Sequence, residues 1–175
     1  MAIELILGGA RSGKSSLAED LAKKTGLDVT YVATAQARDA EMQTRILQHK
    51  KRRPSHWQLV EEQLKLSSAL ATHAKDGRLL LVDCLTLWLS NILLQPDWQQ
   101  LWEKEKRDLL EIIPTLASPI ILVANETGLG IVPMGELSRN FVDESGWLHQ
   151  DLAKICDRVI FTVAGLPMVL KGEKL

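Results

Sequence analysis

The sequence has few cysteines and no long apolar run, and these scarcities exclude several classes of protein. Its two cysteines, Cys84 and Cys156, lie far apart and outside any metal-binding spacing, so neither a disulfide framework nor a zinc site is predicted. The most apolar stretch, residues 79–94, is shorter than the ~20 residues of a membrane span and contains Asp83. The amino terminus lacks the pattern of a signal peptide. We therefore expect a protein of the reducing cytoplasm without a membrane span.

An excess of charge of either sign is also missing. The chain carries 21 Lys and Arg against 22 Asp and Glu, a net charge of −1, so its overall field does not favour nucleic acid or anionic membranes. With 175 residues, of which 46% are hydrophobic, the chain is long enough to bury a full sheet core. We expect residues 1–175 to form a single nucleotide-binding catalytic domain.

What the sequence does contain is a phosphate-binding motif. Gly8, four further residues and then Gly13-Lys14-Ser15 form the Walker A pattern, between an apolar β-prone run and a helical pattern. Such a loop brings backbone N–H groups and a helix start close to phosphate. Lys14 is predicted to be catalytic through contact with the β- and γ-phosphates, and Ser15 to bind Mg²⁺. The predicted nucleotide-binding residues of the loop are Gly8, Gly9, Ala10, Arg11, Ser12, Gly13, Lys14 and Ser15.

Strand-like and helix-like segments alternate along the chain. We predict strands over residues 3–7, 29–33, 79–83, 120–124 and 158–163. Besides the helix after the P-loop, helices are predicted over residues 39–53, 61–75, 85–94, 98–113 and 146–156. This order predicts an α/β fold with a mostly parallel sheet covered by helices on both faces, and with ligands at the carboxyl ends of the strands. Trp88, Trp98 and Trp102 are expected to form a packing seam or a subunit contact.

Two polar positions follow predicted buried strands. Asp83 ends the third strand, where P-loop proteins place the acid that holds Mg²⁺ through water, although the same residue can cap the helix near Leu85. Asn125 and Glu126 follow the fourth strand and open a segment, residues 125–133, that contains two glycines and a proline. A structural turn explains the glycines of this segment. It does not explain an acid at the ligand edge, so a functional role is favoured.

A basic segment at residues 45–54 is the second unusual feature. On a helix, Arg45, His49 and Arg52 or Arg53 share one face, which places an imidazole among guanidinium groups. Neighbouring cations favour the neutral imidazole, which is the nucleophilic form, and suit a triphosphate. The alternatives are a solvated basic surface, a phosphate clamp in a kinase with a single activity, or nucleic-acid contacts in a nucleotide-switched binding protein. The last requires a wider patch with interleaved aromatics than this chain offers.

Five blocks of sequence point to one family. They are GGARSGKS at 8–15, YVAT at 31–34, the basic segment with Arg45-Ile46, His49-Lys50 and Arg53-Pro54, HW at 56–57, and NETGLGIVP at 125–133. Together they resemble the bifunctional adenosylcobinamide kinase/adenosylcobinamide-phosphate guanylyltransferase family of cobalamin biosynthesis. The resemblance implies a RecA-like P-loop fold and a homotrimer. Near the carboxyl terminus, Trp147 and His149 stand where many members of the family have Arg and Asn.

The resemblance implies two reactions at nucleotide sites. The first phosphorylates the aminopropanol hydroxyl of adenosylcobinamide from ATP or GTP. The second transfers GMP from GTP to that phosphate through a guanylylated histidine, which corresponds to His49, and gives adenosyl-GDP-cobinamide. Mg²⁺ is implied as the cofactor, with Ser15 and Asp83 near it. Further nucleotide-contacting positions implied by the resemblance are Ala33, Thr34, Ala35, Lys50, Lys51, Arg52, Arg53, Glu61 and Asp83.

Overall fold

A computed structural model describes residues 2–36, 40, 43–44 and 53–175 of the chain. Its centre is a sheet of seven strands in the order β3-β2-β4-β5-β1-β6-β7. All neighbouring pairs are parallel except β6 and β7, which form an antiparallel hairpin at one edge. The predicted mostly parallel α/β sheet is therefore confirmed.

The elements follow one another in near-regular alternation along the chain. The strands are β1 (Ile3–Gly8), β2 (Asp28–Ala33), β3 (Gln58–Glu61), β4 (Arg78–Asp83), β5 (Ile120–Asn125), β6 (Arg158–Val163) and β7 (Leu166–Lys171). The helices are α1 (Lys14–Lys24), α2 (Leu66–His73), α3 (Leu85–Leu93), α4 (Trp98–Ile112) and α5 (Glu136–Ile155), with a short 3₁₀ turn at Ile113–Thr115.

The hydrophobic core has two layers because successive side chains of each strand point to opposite faces of the sheet. On one face, Leu5, Leu80 and Leu122 pack with residues of α2, α3, α4 and α5. Trp88 and Trp102 belong to this layer, with ring centroids 5.2 Å apart, so the predicted tryptophan seam is a packing feature of the core. On the other face, Ile6 and Leu81 pack against α1. Helices therefore lie on both faces, as predicted.

Two predicted helices have different bounds in the structure. Residues 58–61 form strand β3, and α2 begins only at Leu66, so the prediction of a helix over 61–75 was wrong at its start. The last helix begins at Glu136 rather than near Gly146. Gly146 lies in the middle of that helix, where a glycine weakens helix propensity without ending the helix. Strand β7 was not predicted, and the helix predicted over 39–53 lies largely outside the described residues.

Within residues 2–36, 40, 43–44 and 53–175, no helix is both long enough and apolar enough to cross a bilayer.

Candidate active site

The carboxyl ends of the parallel strands bring the predicted polar residues to one edge of the sheet. Gly8 at the end of β1 lies opposite Asn125 at the end of β5. Ala33 at the end of β2 lies between Glu61 and Asp83, the last residues of β3 and β4. The strand order thus assembles one continuous polar edge from segments that are far apart in the sequence, at the position where an α/β fold binds its ligands.

The P-loop connects β1 to α1 at this edge. Gly13 has a φ of 96° and Arg11 a φ of 55°, so the loop uses the left-handed region twice before the helix begins. Lys14 is buried, and its Nζ donates to the carbonyl oxygen of Gly9 over 3.0 Å. Burial lowers the pKa of the Lys14 ammonium, while the negative charge of Asp83 acts in the opposite direction. The ammonium is thus held inside the loop that is predicted to bind phosphate.

The turn of the β6–β7 hairpin supports the P-loop from one side. The N–H of Gly165 donates to the carbonyl oxygen of Ser12 over 2.9 Å. A Cβ placed on Gly13 would lie 3.1 Å from Gly165 Cα, and a Cβ on Gly8 would lie 2.5 Å from the carbonyl oxygen of Thr162. Close packing against this hairpin therefore favours glycine at positions 8 and 13, in addition to any requirement for space beside a bound phosphate.

Asp83 is placed by its neighbour on β2. The hydroxyl of Tyr31 donates to Asp83 Oδ2 over 2.9 Å, and the chain enters α3 through Cys84, at which no side-chain capping hydrogen bond forms. The alternative assignment of Asp83 as the N-cap residue is therefore not supported. Tyr31 belongs to the YVAT block at 31–34, but the sequence indicates no role for it. The reason is that the order of the strands, which brings Tyr31 beside Asp83, is not visible in the sequence.

The segment after β2 is fixed to the segment after β4. Thr34 is fully buried, and its hydroxyl donates to the carbonyl oxygen of Cys84 over 2.7 Å and accepts from the Cys84 N–H over 2.9 Å. The carbonyl oxygen of Thr34 accepts from Asn91 Nδ2. The side chain of Thr34 thus holds two strand ends together, and a nucleotide contact at Thr34, Ala33 or Ala35 stays a prediction.

The structure describes the last basic residue of the segment at 45–54, which is Arg53. The Cζ atom of Arg53 lies 4.7 Å from the centroid of the Tyr31 ring, within the range of a cation–π contact. Tyr31 therefore joins Arg53 to Asp83. The remaining predicted positions of this segment lie outside the described residues, namely Arg45, His49, Lys50, Lys51 and Arg52.

The segment at 125–133 begins beside the P-loop. The N–H of Glu126 donates to the carbonyl oxygen of Gly8 over 3.0 Å, and Glu126 Oε1 accepts from the Gly128 N–H over 2.6 Å. Glu126 Oε2 lies 3.6 Å from Nδ1 of the buried His149. Burial lowers the pKa of His149, with the carboxylate of Glu126 opposing that shift. His149 therefore holds Glu126 at the ligand edge of the sheet. The sequence shows that His149 stands where many members of the family have Asn, but it does not show this contact with Glu126.

The donors at this edge are of the kind that Mg²⁺ prefers. Ser15 lies in the first turn of α1, and Asp83 ends β4 at the same edge. Within the described residues, no group of three or more His, Cys, Asp or Glu side chains could hold a metal ion. Mg²⁺ commonly binds through one or two protein oxygens together with substrate phosphates and water, so Ser15 and Asp83 fit such a site.

A cavity of about 290 Å³ lies at the opposite edge of the sheet. It is lined by Glu4 and Arg158, which form an ion pair with 2.6 Å between Oε1 and Nη2, and by apolar residues near the starts of β4 and β5. Because this cavity contains none of the P-loop residues, we do not place the active site there.

Comparisons with known proteins agree on one family. The family model described as "Cobinamide kinase / cobinamide phosphate guanyltransferase" matches residues 4–170. The chain is 62% identical to the "Bifunctional adenosylcobalamin biosynthesis protein CobP" of Pseudomonas aeruginosa, over 98% of this chain and 99% of the relative. It is 35% identical to the "Bifunctional adenosylcobalamin biosynthesis protein CobU" of Escherichia coli K12, over 95% of this chain and 98% of the relative.

A solved structure supports the fold alone. A Pyrococcus horikoshii OT3 protein studied under the project name PH0250 matches with a TM-score of 0.53 and 10% identity, over 99% of this chain and 87% of that chain. The predicted α/β fold class is confirmed, and the order of the strands in the sheet is consistent with the RecA-like arrangement that the sequence predicts. Since the family model covers nearly the whole chain, including the P-loop and the segment at 125–133, the chain belongs to the cobinamide kinase/cobinamide phosphate guanyltransferase family of transferases.

Proposed function

We propose that this enzyme phosphorylates adenosylcobinamide from ATP or GTP and then transfers GMP from GTP to adenosylcobinamide phosphate through His49. The observation that carries the proposal is the joint placement of Lys14, Asp83 and Arg53 around the ends of β1, β2 and β4. Arg53 is the last basic residue of the segment at 45–54, which contains the candidate nucleophile His49, and it contacts the ring of Tyr31 on β2.

In the first reaction, the oxygen of the substrate hydroxyl attacks the γ-phosphorus and loses its proton to solvent, while the nucleoside diphosphate leaves with the electrons of the broken P–O bond. Lys14 would leave its present partner, the carbonyl oxygen of Gly9, and stabilise charge on the phosphoryl oxygens. The buried hydroxyl of Ser12 makes no hydrogen bond within the described part of the chain, which supports a role as a donor to phosphate. Mg²⁺ held near Ser15 and Asp83 would supply further neutralisation of the phosphate charge.

In the second reaction, an imidazole nitrogen of His49 attacks the α-phosphorus of GTP, and pyrophosphate leaves with the electrons of the broken P–O bond. An oxygen of the substrate phosphate then attacks the same phosphorus and releases the imidazole. The basic neighbours of His49 favour its neutral form and stabilise the developing negative charge. The predicted nucleotide contacts of Lys50, Lys51, Arg52 and Glu61 belong to this step.

The kinase half is tested with γ-labelled ATP and γ-labelled GTP. Label should pass to adenosylcobinamide, and the Lys14→Ala variant should transfer it at least about a hundredfold more slowly. If the wild-type enzyme transfers no label from either nucleotide, the first reaction is excluded. The same pair of nucleotides identifies the preferred phosphoryl donor.

We also propose that the enzyme acts as a homotrimer in the cytoplasm. The segment at 125–133 and the residues that follow it support an assembly, because Leu129, Ile131, Val132 and Met134 are between 73% and 98% exposed in the single chain. Apolar side chains exposed side by side to this degree are typical of surfaces that another molecule covers.

A further inference from the structure

Tyr31 makes two contacts with different groups of the candidate active site. Its hydroxyl donates to Asp83 Oδ2 over 2.9 Å. The face of its ring lies 4.7 Å from Arg53 Cζ. One side chain therefore contacts both Asp83, the acid predicted to bind Mg²⁺, and Arg53, the last basic residue of the segment that contains His49.

The surroundings of Tyr31 restrict it to this arrangement. The side chain is 4% exposed and packs in the core layer with Ile6, Ala18 and Leu81. The packing of the ring and the hydrogen bond to Asp83 Oδ2 together hold the side chain between Asp83 and Arg53.

Arg53 is held on the ring by the chain that follows it. Pro54 restricts the backbone of the preceding residue to an extended conformation, and its carbonyl oxygen accepts from the N–H of Trp57 over 3.1 Å. Trp57 is 6% exposed and belongs to the same core layer as Tyr31. The end of the basic segment is thus fixed to the sheet by a buried turn and by the ring of Tyr31.

We propose that Tyr31 is a positioning residue for both reactions. Its hydroxyl orients the Asp83 carboxylate for metal-dependent nucleotide binding, and its ring fixes Arg53 and thereby the base of the segment that presents His49. This inference rests on the proposed function for the role of His49. The role of the Tyr31 hydroxyl at Asp83 does not depend on His49, and it requires only that the enzyme binds nucleotide and Mg²⁺.

Two substitutions at this one position separate the two contacts. Tyr31→Phe keeps the ring and removes the hydroxyl, whereas Tyr31→Leu removes both. In Tyr31→Phe, the Mg²⁺ concentration that supports half-maximal GTP binding should rise about tenfold, the effect expected from losing a hydrogen bond to a charged group. At saturating Mg²⁺, incorporation of GMP into Tyr31→Phe should stay within about twofold of wild type. In Tyr31→Leu, incorporation should fall about tenfold even at saturating Mg²⁺, as expected for loss of a partly buried cation–π contact.

Val29→Ala is the packing control. Val29 is a buried residue of the same strand and the same core layer and makes neither contact, so both measurements should stay within about twofold of wild type.

The proposal is overturned if Tyr31→Phe binds GTP with an unchanged Mg²⁺ dependence, or if Tyr31→Leu and Val29→Ala lose GMP incorporation equally. A wild-type enzyme that incorporates no GMP would instead refute the proposed second reaction and, with it, the role of the ring. The Mg²⁺ dependence of GTP binding would still decide the role of the hydroxyl.

Discussion

Lys14 is the residue whose role follows most directly from its position. Its Nζ is held inside the P-loop by Gly9 and is buried, so it needs little rearrangement to meet a phosphate. Lys14→Ala should weaken GTP binding by about 10- to 150-fold, because hydrogen bonds to charged groups contribute about 1.5–3 kcal/mol. Titration calorimetry with GTP and Mg²⁺ measures the change.

The exposed neighbour Ser16 offers a matched control for this substitution. Ser16 lies in the first turn of α1, as Lys14 does, but its side chain is exposed, so Ser16→Ala should bind GTP as the wild type does. Equal GTP affinity of Lys14→Ala and wild type would show that the loop is not the phosphate site.

Tyr31 provides a spectroscopic prediction, because it is the single tyrosine of the chain. The pKa of its hydroxyl is raised by burial and by Asp83, so the folded state favours the neutral form. Its contribution to the free energy of unfolding is therefore fully present below the ordinary pKa of 10.0 and is lost as the pH rises above it. Near-ultraviolet absorbance during an alkaline titration should show phenolate appearing together with unfolding.

Asp83→Asn removes the negative charge that contributes to this shift. The pKa of Tyr31 should then fall towards its ordinary value, although burial, the larger cause, remains. A phenolate signal that develops near the ordinary pKa while the wild-type protein is still folded would contradict the contact between Tyr31 and Asp83.

At the scale of single residues, the sequence predicts the placement of side chains in the fold where they are close together in the chain. The P-loop residues 8–15 are contiguous, and their spacing alone places Lys14 and Ser15 at a helix start. The contact between Tyr31 and Asp83 joins residues 52 positions apart. It requires β2 and β4 to be neighbours, which depends on the packing of the whole sheet. The same applies to Glu126 and His149.

At the scale of elements, the β6–β7 hairpin is the support of the P-loop. Gly13 combines a φ of +96° with a Cβ position 3.1 Å from Gly165 Cα. Gly13→Ala should lower the free energy of unfolding by about 1–2 kcal/mol through its left-handed conformation. It should also weaken GTP binding, because the loop must move away from the hairpin. Urea unfolding and calorimetry measure the two effects.

Gly26→Ala is a control that separates the effect of backbone strain on stability from the effect of a distorted P-loop on GTP binding. Gly26 has a φ of +68°, but its Cβ position is open, and it follows α1 at the end opposite the P-loop. This variant should lose a similar amount of stability and keep the GTP affinity of the wild type. If Gly13→Ala also kept wild-type affinity, the hairpin would have no part in shaping the loop.

The elements that sequence reasoning missed share a physical cause. Strand β3 has four residues and ends in an acid, so its apolar pattern is too short to distinguish it from the helix that follows. Strand β7 contains Pro167, and its side chains are almost all exposed, which removes the buried alternation that marks a strand. By contrast, β4 and β5 are buried along most of their length and were predicted to within one residue at each end.

At the scale of the whole molecule, the exposed apolar residues after β5 predict an assembly. We expect light scattering after size-exclusion chromatography to give about three times the 19.5 kDa mass of one chain. Replacing Ile131 and Met134 together by Lys should shift the enzyme to the mass of a monomer, because two charges would be buried in a contact between copies.

Leu94→Lys is the control for this change. Leu94 is 53% exposed at the end of α3, away from the segment at 125–133, and the variant should keep the wild-type mass. A wild-type mass equal to that of one chain would contradict the assembly. An unchanged mass for the double variant would place the contact elsewhere.

The central claim is that one chain combines a phosphate loop with a histidine that carries GMP. Incubation with α-labelled GTP and Mg²⁺ should leave acid-labile label on the wild-type enzyme, as expected for a bond between phosphorus and a histidine nitrogen. The His49→Asn variant should bind GTP and remain unlabelled. Label on wild type that adenosylcobinamide phosphate then removes would agree with both steps. A wild-type enzyme that binds GTP without becoming labelled, or a His49→Asn variant labelled to the same extent, would contradict the claim.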